Sequence, residues 1–431
     1  MKICELNDKI SNKTVLVRAC LNVPLKKLGN HYTVMDDSRL QNMRKTVDWL
    51  LERGNKVVLM GYLGRPTARE EQYSMKHVFE YFKYVNWWPR INFCNETVGK
   101  KAEQMVDEME SGDILLLENV RFNPGESTND PKYITQLAKL GDVFVNEAFA
   151  DSHRKQASIY SIAKKLPAYG GFALIEEVKY LQNIVAKPKG PLVAIVGGAK
   201  ISDKVDVIRN LARQADVVLV GGGVSNNFIK AEGVEIHKSY IQDTPADLKK
   251  AGKDYVRVAG DIIEENRFER FLKDGYIPLS KIVYPIDVVA AKNLDSTKTE
   301  VIDLHRDMPD TKNDKDIMYL DIGPKTARLY QEIILSAGTV FWNGPMGVFE
   351  KEQFANGTKE VARSVAKSAA TTIVGGGDTI TAVNQFHYEG RVDFISTGGG
   401  ASLDFLTGKI LPGIAVLEKN CIVGRQVNFC D

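Results

Sequence analysis

Short runs of apolar, β-branched residues recur along the chain, and a stretch with helical spacing follows most of them. In the first part the runs are TVLVRA, KVVLMGY, DILLLEN and DVFVNEAFA. In the second part they are LVAIVGGAK, DVVLVGGG, IMYLDIG, TVFWNGP, TTIVGGGD and DFISTGGG. The runs are continuously apolar, as expected for strands covered on both faces. The pattern therefore predicts an α/β protein with parallel sheets, with helices such as Asp37–Arg53 and Lys359–Ala370 between the strands.

The residues that follow the strands differ between the two parts. In the first part the strand ends lead to arginines, namely Arg18, Arg65, Arg121 and Arg154, and in the second part to glycines, including three GGG triplets. One such arginine is ordinarily a solvated surface charge, and glycines are ordinary turn residues. Ligands of open α/β sheets lie at the carboxyl ends of the strands, so the repeated arginines favour a cationic rim at that edge of the first part. The repeated glycines favour a rim in the second part where the backbone can approach a phosphate closely.

The length of 431 residues exceeds one ordinary core, so we expect two domains. The fold class that follows is α/β, with two Rossmann-like lobes, each a parallel sheet flanked by helices. The change from arginine to glycine falls near AKPKGP, and the preceding Ile175–Val185 has the spacing of a connecting helix.

Charge and composition exclude several classes of protein. Lys+Arg total 57 against Asp+Glu 55, which argues against a general nucleic-acid or membrane-surface binder. No run reaches the about 18 apolar residues of a membrane span, and MKICELNDKI lacks the apolar stretch of a signal peptide. The six histidines are scattered, so we expect no transition-metal site. Free thiols in a reducing, cytoplasmic compartment are expected because the cysteines form no CxxC pair; they are Cys4, Cys20, Cys94, Cys421 and Cys430.

Two motifs point to anion chemistry without a standard nucleotide loop. A Walker A loop is absent, and no GxGxxG supports a dehydrogenase, since Gly221-x-Gly223 leads to Asn226. In GGAKISDK, Lys200 and Lys204 stand four residues apart, and if a helix starts after the glycines, both ammonium groups are expected on one helix face, directed at one anion. In TTIVGGGDTI, Asp378 and Thr379 are expected at a helix N-terminus that favours phosphate, with Asp378 near Mg²⁺ or, alternatively, serving only as an N-cap.

The motifs together resemble one family. VLVRACLNVPL, DDSRL, VLMGYLGRP, LLLENVRF, VNEAFADSHR, GGAKISDK, FWNGPMGVFE, GGGDT and STGGGAS stand in the order found in phosphoglycerate kinases, from about residue 5 to about residue 418. FWNGPMGVFE and GGGDT are the most specific of these motifs. The last residues, CIVGRQVNFCD, resemble a short extension beyond the family's usual end.

The resemblance implies reversible phosphoryl transfer between 1,3-bisphosphoglycerate and ADP, giving 3-phosphoglycerate and ATP in glycolysis, with Mg²⁺ accompanying the nucleotide. It also implies a monomer whose lobes close about a hinge. The expected boundaries are an acid-substrate lobe over 1–172, a connecting helix and hinge over 173–190, a Mg-nucleotide lobe over 191–405, and a segment over 406–431 that returns toward the first lobe.

On the acid-substrate side, the resemblance assigns roles to residues of the first lobe. Arg39 is expected to reach the transferring phosphoryl group and the acid carboxylate, and Asn22 to contact the glycerate end. The clamp on the distant phosphate is expected to consist of Arg65, Arg121 and Arg154, with His153 beside it. Cys20 and Tyr62 are expected to line the same site.

On the nucleotide side, Lys200 resembles the lysine near the transferred phosphate and Lys204 the one on the inner phosphates. Asp378 resembles the Mg²⁺ contact and Thr379 a phosphate contact, while Asn343 and Glu350 resemble contacts to the phosphates and ribose. Further nucleotide-binding candidates are Gly198, Ala199, Gly222, Gly323 and Gly377. The expected catalytic set is Arg39, Lys200, Gly376 and Gly399.

The departures from the family pattern lie on the acid side. Cys20 stands where the family has an Asp, and Tyr62 where it has a His. Three interpretations stay open: a phosphoglycerate kinase with weakened acceptor binding, a related kinase for the carboxylate of another anionic acid, and a nucleotide-binding regulator with little activity. A catalytic thiol at Cys20 is disfavoured, because no motif places a base beside it. The acceptor carboxylate, with an unperturbed pKa of roughly 4, is itself the nucleophile, so the protein does not need to supply one.

Overall fold

The computed structural model describes residues 3–29, 31–186, 188–242, 254–272, 275–304 and 316–418. The chain divides into two compact units, an amino-terminal unit of Met1–Lys179 with Ile410–Asp431 and a carboxy-terminal unit of Tyr180–Lys409. The domain boundaries expected from the sequence stay predictions. CIVGRQVNFCD, with its two cysteines, lies outside the described residues.

The amino-terminal unit is built on a six-stranded parallel sheet in the order β5-β6-β4-β1-β7-β8. Strands β2 and β3 form a separate two-stranded antiparallel sheet. The strands are Thr14–Arg18 (β1), Leu25–Leu28 (β2), His31–Val34 (β3), Lys56–Met60 (β4), Ile91–Cys94 (β5), Ile114–Leu117 (β6), Val143–Asn146 (β7) and Ala168–Gly170 (β8). The helices are Ser38–Glu52 (α1), Lys76–Val85 (α2), Lys100–Asp107 (α3), Gly125–Thr128 (α4), Pro131–Ala138 (α5) and Phe172–Ala186 (α6), whose last residues belong to the other unit.

The apolar pattern explains these elements. Residues 15–18 of β1 are buried without alternation, as a central strand covered on both faces requires. Helix α1 buries Leu40, Met43, Val47 and Leu50, whose spacing of three and four residues forms one apolar face. The helix expected over 37–53 is thus confirmed, with its ends one residue further in.

The carboxy-terminal unit repeats this architecture with a parallel sheet in the order β13-β10-β9-β17-β18-β19. The strands of the unit are Leu192–Val196 (β9), Val217–Val220 (β10), Arg267–Leu272 (β11), Gly275–Ser280 (β12), Ile282–Val283 (β13), Asp287–Ala291 (β14), Glu300–Asp303 (β15), Met318–Ile322 (β16), Thr339–Asn343 (β17), Thr371–Gly375 (β18) and Phe394–Ser396 (β19). The helices are Val205–Gln214 (α7), Gly222–Ala231 (α8), Tyr255–Glu265 (α9), Pro324–Leu335 (α10), Asn356–Lys367 (α11), Gly377–Gln385 (α12) and Gly400–Leu406 (α13). Two Rossmann-like α/β lobes are therefore confirmed.

One predicted strand has a different partner from the one expected. The run IMYLDIG forms β16, which pairs antiparallel with β14 in a separate three-stranded sheet in the order β15-β14-β16. A continuously apolar run shows that a strand is buried on both faces, but it carries no information about the direction of its neighbour. The expectation that all these runs join parallel sheets was wrong for β16.

One aromatic pair and one pair of lysines lie outside the candidate site. Trp88 is buried, and Trp87 packs against Phe82 with ring centroids 5.8 Å apart, so the aromatic pair belongs to the core. Lys100 and Lys101 are exposed on the first turn of α3.

Candidate active site

The arginine at the end of β1 is not part of a solvated rim. Arg18 is fully buried, and its Nη2 lies 3.2 Å from Oδ2 of Asp151. Its Nε donates to Ser158 Oγ at 3.0 Å, and its Nη1 donates to the Ala19 carbonyl at 2.6 Å. The inclusion of Arg18 in a cationic rim was therefore wrong: the sequence did not show the carboxylate that draws this guanidinium into the core.

Cys20 follows Arg18 by two residues and is half-buried. Burial, followed by the charge of Asp151, raises the pKa of the Cys20 thiol to about 12. The nearby charges of Arg18 and Arg39 act in the opposite direction but do not overcome burial. The thiol is thus protonated at neutral pH, which argues against a nucleophilic role.

Tyr62, in the loop after β4, forms an aromatic surface for two cations. The guanidinium carbon of Arg121 lies 3.4 Å from the Tyr62 ring centroid, and that of Arg18 lies 5.4 Å away. Burial raises the pKa of the Tyr62 phenol, and its hydrogen bond with the Asp151 carboxylate acts in the same direction. A tyrosine with this environment stays a neutral donor at physiological pH.

Arg39 and Asn22 are brought together. Arg39 extends from the first turn of α1 and donates from Nη1 to the Asn22 carbonyl at 2.5 Å. The Asn22 side-chain oxygen accepts the Gly64 amide at 2.8 Å. The loop after β1, the loop after β4 and the start of α1 therefore meet at one place, as parallel strands with a common carboxyl edge allow.

The residues expected to clamp a phosphate lie partly together. Arg121 donates from Nη1 to the Gly64 carbonyl at 2.6 Å, and Arg154 donates from Nε to Nε2 of His153 at 3.1 Å. Burial lowers the pKa of Arg121, and the like charge of Arg154 contributes. Arg65 is exposed. Neighbouring cations of this kind favour an anion between them.

In the carboxy-terminal unit, the loops after three parallel strands lie against one another. The Gly198 amide donates to the Pro345 carbonyl at 2.9 Å, and the Gly222 amide donates to the Met346 carbonyl at 2.8 Å. Gly222 has φ +62°, and a Cβ on it would lie 2.8 Å from the Gly198 oxygen. The close approach of these loops therefore requires glycine.

No helix starts directly after the glycines of GGAKISDK, so Lys200 and Lys204 do not share one helix face. Lys200 has extended backbone angles, a 3₁₀ turn covers Ile201–Asp203, and α7 begins only after Lys204. The glycine-rich stretch ends in a separate turn instead of starting the helix directly, which the sequence spacing did not reveal. Lys200 is exposed, whereas the Lys204 ammonium donates to the side-chain oxygen of Asn343.

The expected helix N-terminus after GGG is present. Gly376, with φ +92°, precedes α12, and Asp378 and Thr379 lie in its first turn. Asp378 is exposed and is not the N-cap, so that alternative was wrong. Thr379 is buried and its hydroxyl accepts the Gly344 amide at 2.6 Å. The exposed amides of this first turn, including that of Gly377, form an anion-favouring end.

Asp378 also lies close to Lys204. Burial lowers the pKa of the Lys204 ammonium, while the carboxylates of Asp203 and Asp378 act in the opposite direction. Lys204, Asn343 and the start of α12 therefore form one cluster within this unit.

The remaining nucleotide-binding candidates and the catalytic candidate Gly399 lie at helix starts or on the surface. Gly323 precedes α10 and donates its amide to the Asp287 carbonyl at 2.8 Å. Gly399 precedes α13 with φ +53°, and Ala199 and Glu350 are exposed. Contact of these residues with a nucleotide stays a prediction.

Sequence reasoning missed the acidic members of these structures. Asp151 and Glu126 are buried beside Arg18, and Glu147 and Asp321 are buried elsewhere in their units. Asp151 lies within the VNEAFADSHR motif, but that motif does not show that its carboxylate meets Arg18. Nothing in the sequence around Glu126 indicated its burial.

In the ranges that the structure describes, no helix is long and apolar enough to cross a membrane. Within the same ranges, no group of three or more His, Cys, Asp or Glu residues is arranged to hold a metal ion.

Comparison with known proteins gives consistent results. The family model described as phosphoglycerate kinase matches residues 5–409. The phosphoglycerate kinase of Herpetosiphon aurantiacus is 41% identical over 410 residues, covering 95% of this chain and 97% of that protein. The phosphoglycerate kinase of Moorella thermoacetica is 40% identical over 412 residues, covering 95% and 98%.

Solved structures agree with these relatives. The phosphoglycerate kinase of Coxiella burnetii matches with a TM-score of 0.78 and 35% identity, covering 95% of this chain and 97% of that chain. That of Pyrococcus horikoshii matches with a TM-score of 0.78 and 31% identity, covering 97% and 99%. The fold, the anion-favouring sites and these matches define a phosphotransferase. The chain belongs to the phosphoglycerate kinase family.

Proposed function

We propose that this chain transfers a phosphoryl group reversibly between 1,3-bisphosphoglycerate and ADP, using the two sites described above. The observation that supports it most directly is the cluster of Lys204, Asn343 and the N-terminus of α12 at the glycine-rich edge. Such a cluster combines an ammonium group, an amide side chain and exposed backbone amides, which suits a polyphosphate.

In the amino-terminal unit, we assign the acid substrate to the residues at the carboxyl edge of the sheet. Arg39 binds the carboxylate and the transferring phosphoryl group, and Asn22 orients the glycerate end. The distant phosphate is bound by the clamp of Arg65, Arg121 and Arg154, with His153 beside it. Cys20 and Tyr62 line this site as neutral groups, since their pKa values are raised.

In the carboxy-terminal unit, we assign the nucleotide phosphates to Lys204 and the amides of α12. Lys200, which is exposed, reaches the transferred phosphate. Asp378 places one exposed carboxylate beside the proposed phosphate site. Because Mg²⁺ is commonly held by one or two carboxylates together with substrate phosphates, Asp378 and the nucleotide phosphates fit this ion. Mg²⁺ held there with the nucleotide neutralises phosphate charge.

The reaction needs no general base, because the acceptor carboxylate is already ionised at neutral pH. The protein contributes positioned cations and backbone dipoles, which stabilise charge on the equatorial oxygens of a loose transition state. Closure of the two lobes, which would keep water from the phosphoryl group, stays a prediction of the sequence.

The comparisons do not favour the two alternative functions, a kinase for another acid or a nucleotide-binding regulator. A cytoplasmic location and a monomeric state are proposed with the function.

The test is acyl-phosphate formation from 3-phosphoglycerate and Mg-ATP, trapped as the hydroxamate. Arg39→Gln should lower kcat at least about a hundredfold, because a positioned cation on the transferring group is lost. Arg44→Gln is the matched control on the same helix, since Arg44 is half-exposed and pairs with Asp48 at 3.4 Å. No hydroxamate from the unmodified protein, with Mg-ATP binding intact, would overturn the proposed acceptor.

A further inference from the structure

A buried carboxylate lies near Cys20 and Tyr62 in the candidate acid site. Asp151, in a 3₁₀ turn after β7, is 2% exposed and lies 3.2 Å from the fully buried Arg18. A second carboxylate, Glu126, reaches Arg18 only through Ser158, whose hydroxyl donates to Glu126 Oε1 at 2.6 Å. Asp151 therefore makes the direct ion pair with Arg18.

Cys20 lies in the same small region. The amide of Ala150, the residue before Asp151, hydrogen-bonds to the Cys20 sulfur, and the Asp151 charge acts on the thiol. A carboxylate at position 20 would thus lie close to the Asp151 carboxylate in a buried region. Two ionised carboxylates at such a distance disfavour each other, and one of them would have to take up a proton.

Asp151 also organises the aromatic surface of the site. It accepts a hydrogen bond from Tyr62, and the Tyr62 ring in turn lies 3.4 Å beneath the guanidinium carbon of Arg121. One carboxylate thereby orients a buried arginine directly, a tyrosine directly and a second arginine through that tyrosine.

We propose that Asp151 is a positioning residue of the acid-substrate site, which supplies from the turn after β7 the negative charge that the family pattern places at position 20. Position 20 lies in the loop after β1, and Asp151 lies in the neighbouring turn after β7, from which it makes the direct ion pair with Arg18. The kinetic part of this proposal rests on the proposed function, whereas its stability part does not.

A four-member cycle tests the relocation: the unmodified chain, Asp151→Asn, Cys20→Asp, and the double variant. Asp151→Asn should raise the KM for 3-phosphoglycerate about tenfold or more, with the KM for Mg-ATP unchanged, because Arg18 and Tyr62 lose their common partner. Cys20→Asp alone should also raise the 3-phosphoglycerate KM, because two carboxylates then compete for Arg18. The double variant should return to within about threefold of the unmodified chain.

Two controls separate positioning from general destabilisation. Asp151→Glu keeps the charge and should recover part of the lost affinity relative to Asp151→Asn. Glu147→Gln removes another buried carboxylate of the same unit, which contacts Thr46 at 2.6 Å, and should leave the 3-phosphoglycerate KM unchanged. An unchanged KM in Asp151→Asn, or a double variant worse than both single variants, would overturn the proposal.

Thermal unfolding of the same four proteins gives a readout that does not depend on the reaction. Asp151→Asn should lower the Tm in the native background but raise it in the Cys20→Asp background. If it lowers the Tm equally in both backgrounds, the two positions do not share one carboxylate site and the proposal is wrong. If the unmodified chain fails to use 3-phosphoglycerate while this reversal of sign is seen, the proposed function fails and the relocation stands.

Discussion

The ammonium group of Lys204 donates to the side-chain oxygen of Asn343, which joins the residue before α7 to the last residue of β17. Asn343 is almost fully buried, so its amide is fixed by the sheet and cannot follow a moving lysine. The lysine is therefore held in place before any ligand arrives, and less of its rotamer freedom is lost on binding.

Lys204→Met should weaken Mg-ATP binding at least about tenfold, because one charge-assisted contact to phosphate is removed while the aliphatic stem is kept. Titration calorimetry with Mg-ATP measures the dissociation constant directly. Lys367→Met, at the exposed carboxyl end of α11, is the matched control and should bind Mg-ATP as the unmodified chain does. Equal affinities for the two variants would remove Lys204 from the nucleotide site.

Gly376→Ala and Gly99→Ala form a pair that separates backbone strain from contact. Each glycine immediately precedes a helix and has a positive φ, +92° for Gly376 and +102° for Gly99. A Cβ on Gly376 would lie 2.8 Å from Asn343 Nδ2, whereas one on Gly99 meets nothing within 4 Å. Each substitution should cost roughly 1–2 kcal/mol of stability through its backbone angles. Steady-state kinetics should show a raised KM for Mg-ATP in Gly376→Ala alone, and a matching rise in Gly99→Ala would mean that strain explains both.

The Cys20 thiol should react slowly with iodoacetamide. Its pKa is raised to about 12 by burial and by the Asp151 charge, so at pH 8 its thiolate fraction is far below that of an ordinary thiol of pKa about 8.5. Mass spectrometry of the Cys20 peptide in the native protein should give an alkylation rate at least about a hundredfold below that of glutathione. A rate equal to that of glutathione would show a thiolate at neutral pH and reopen nucleophilic chemistry.

Glu147 should make the stability of the protein fall as pH rises. Burial raises the pKa of Glu147 to about 8, whereas an unfolded glutamate has a pKa of about 4.3. Between these values the folded chain holds a proton that the unfolded chain has released, so the free energy of unfolding decreases with increasing pH across that window. Glu147→Gln cannot lose this proton.

Urea unfolding at several values between pH 5 and pH 8 measures the effect. The slope of the unfolding free energy against pH should be shallower in Glu147→Gln by up to about 1.4 kcal/mol per pH unit. A residual slope is expected from Asp321 in the carboxy-terminal unit, whose pKa burial also raises to about 8, and Asp321→Asn should reduce that part. Identical slopes in the unmodified chain and both variants would mean that these carboxyls are ionised in the folded state.

Much of the fold could be predicted because uninterrupted apolar runs identify strands covered on both faces. The rule succeeded for β1 and β9, whose neighbours are all parallel. It failed for β16, which pairs antiparallel with β14. An apolar run shows that a strand is buried, but the direction of pairing depends also on the neighbouring strand. The turn at Ile201–Asp203 was missed for a similar reason: a spacing of four residues fits a helix, but it does not require one.

The site was harder to predict than the sheets. Asn22 and Arg39 lie together as expected, because both belong to the carboxyl edge of one sheet. Arg18 was misassigned to the rim, since its burial depends on Asp151, which is distant in sequence and adjacent only after β1 and β7 pair. Charges that meet through strand pairing leave no local pattern.

The guanidinium of Arg121 rests on the Tyr62 ring, with its carbon 3.4 Å from the centroid. One face of this planar cation is therefore already desolvated in the free protein, and the negative face of the ring stabilises its charge. An incoming anion has only the rim and the opposite face left to dehydrate. Replacing Tyr62 with a smaller side chain would expose that face of the Arg121 guanidinium to solvent. Each binding event would then include the free-energy cost of desolvating it.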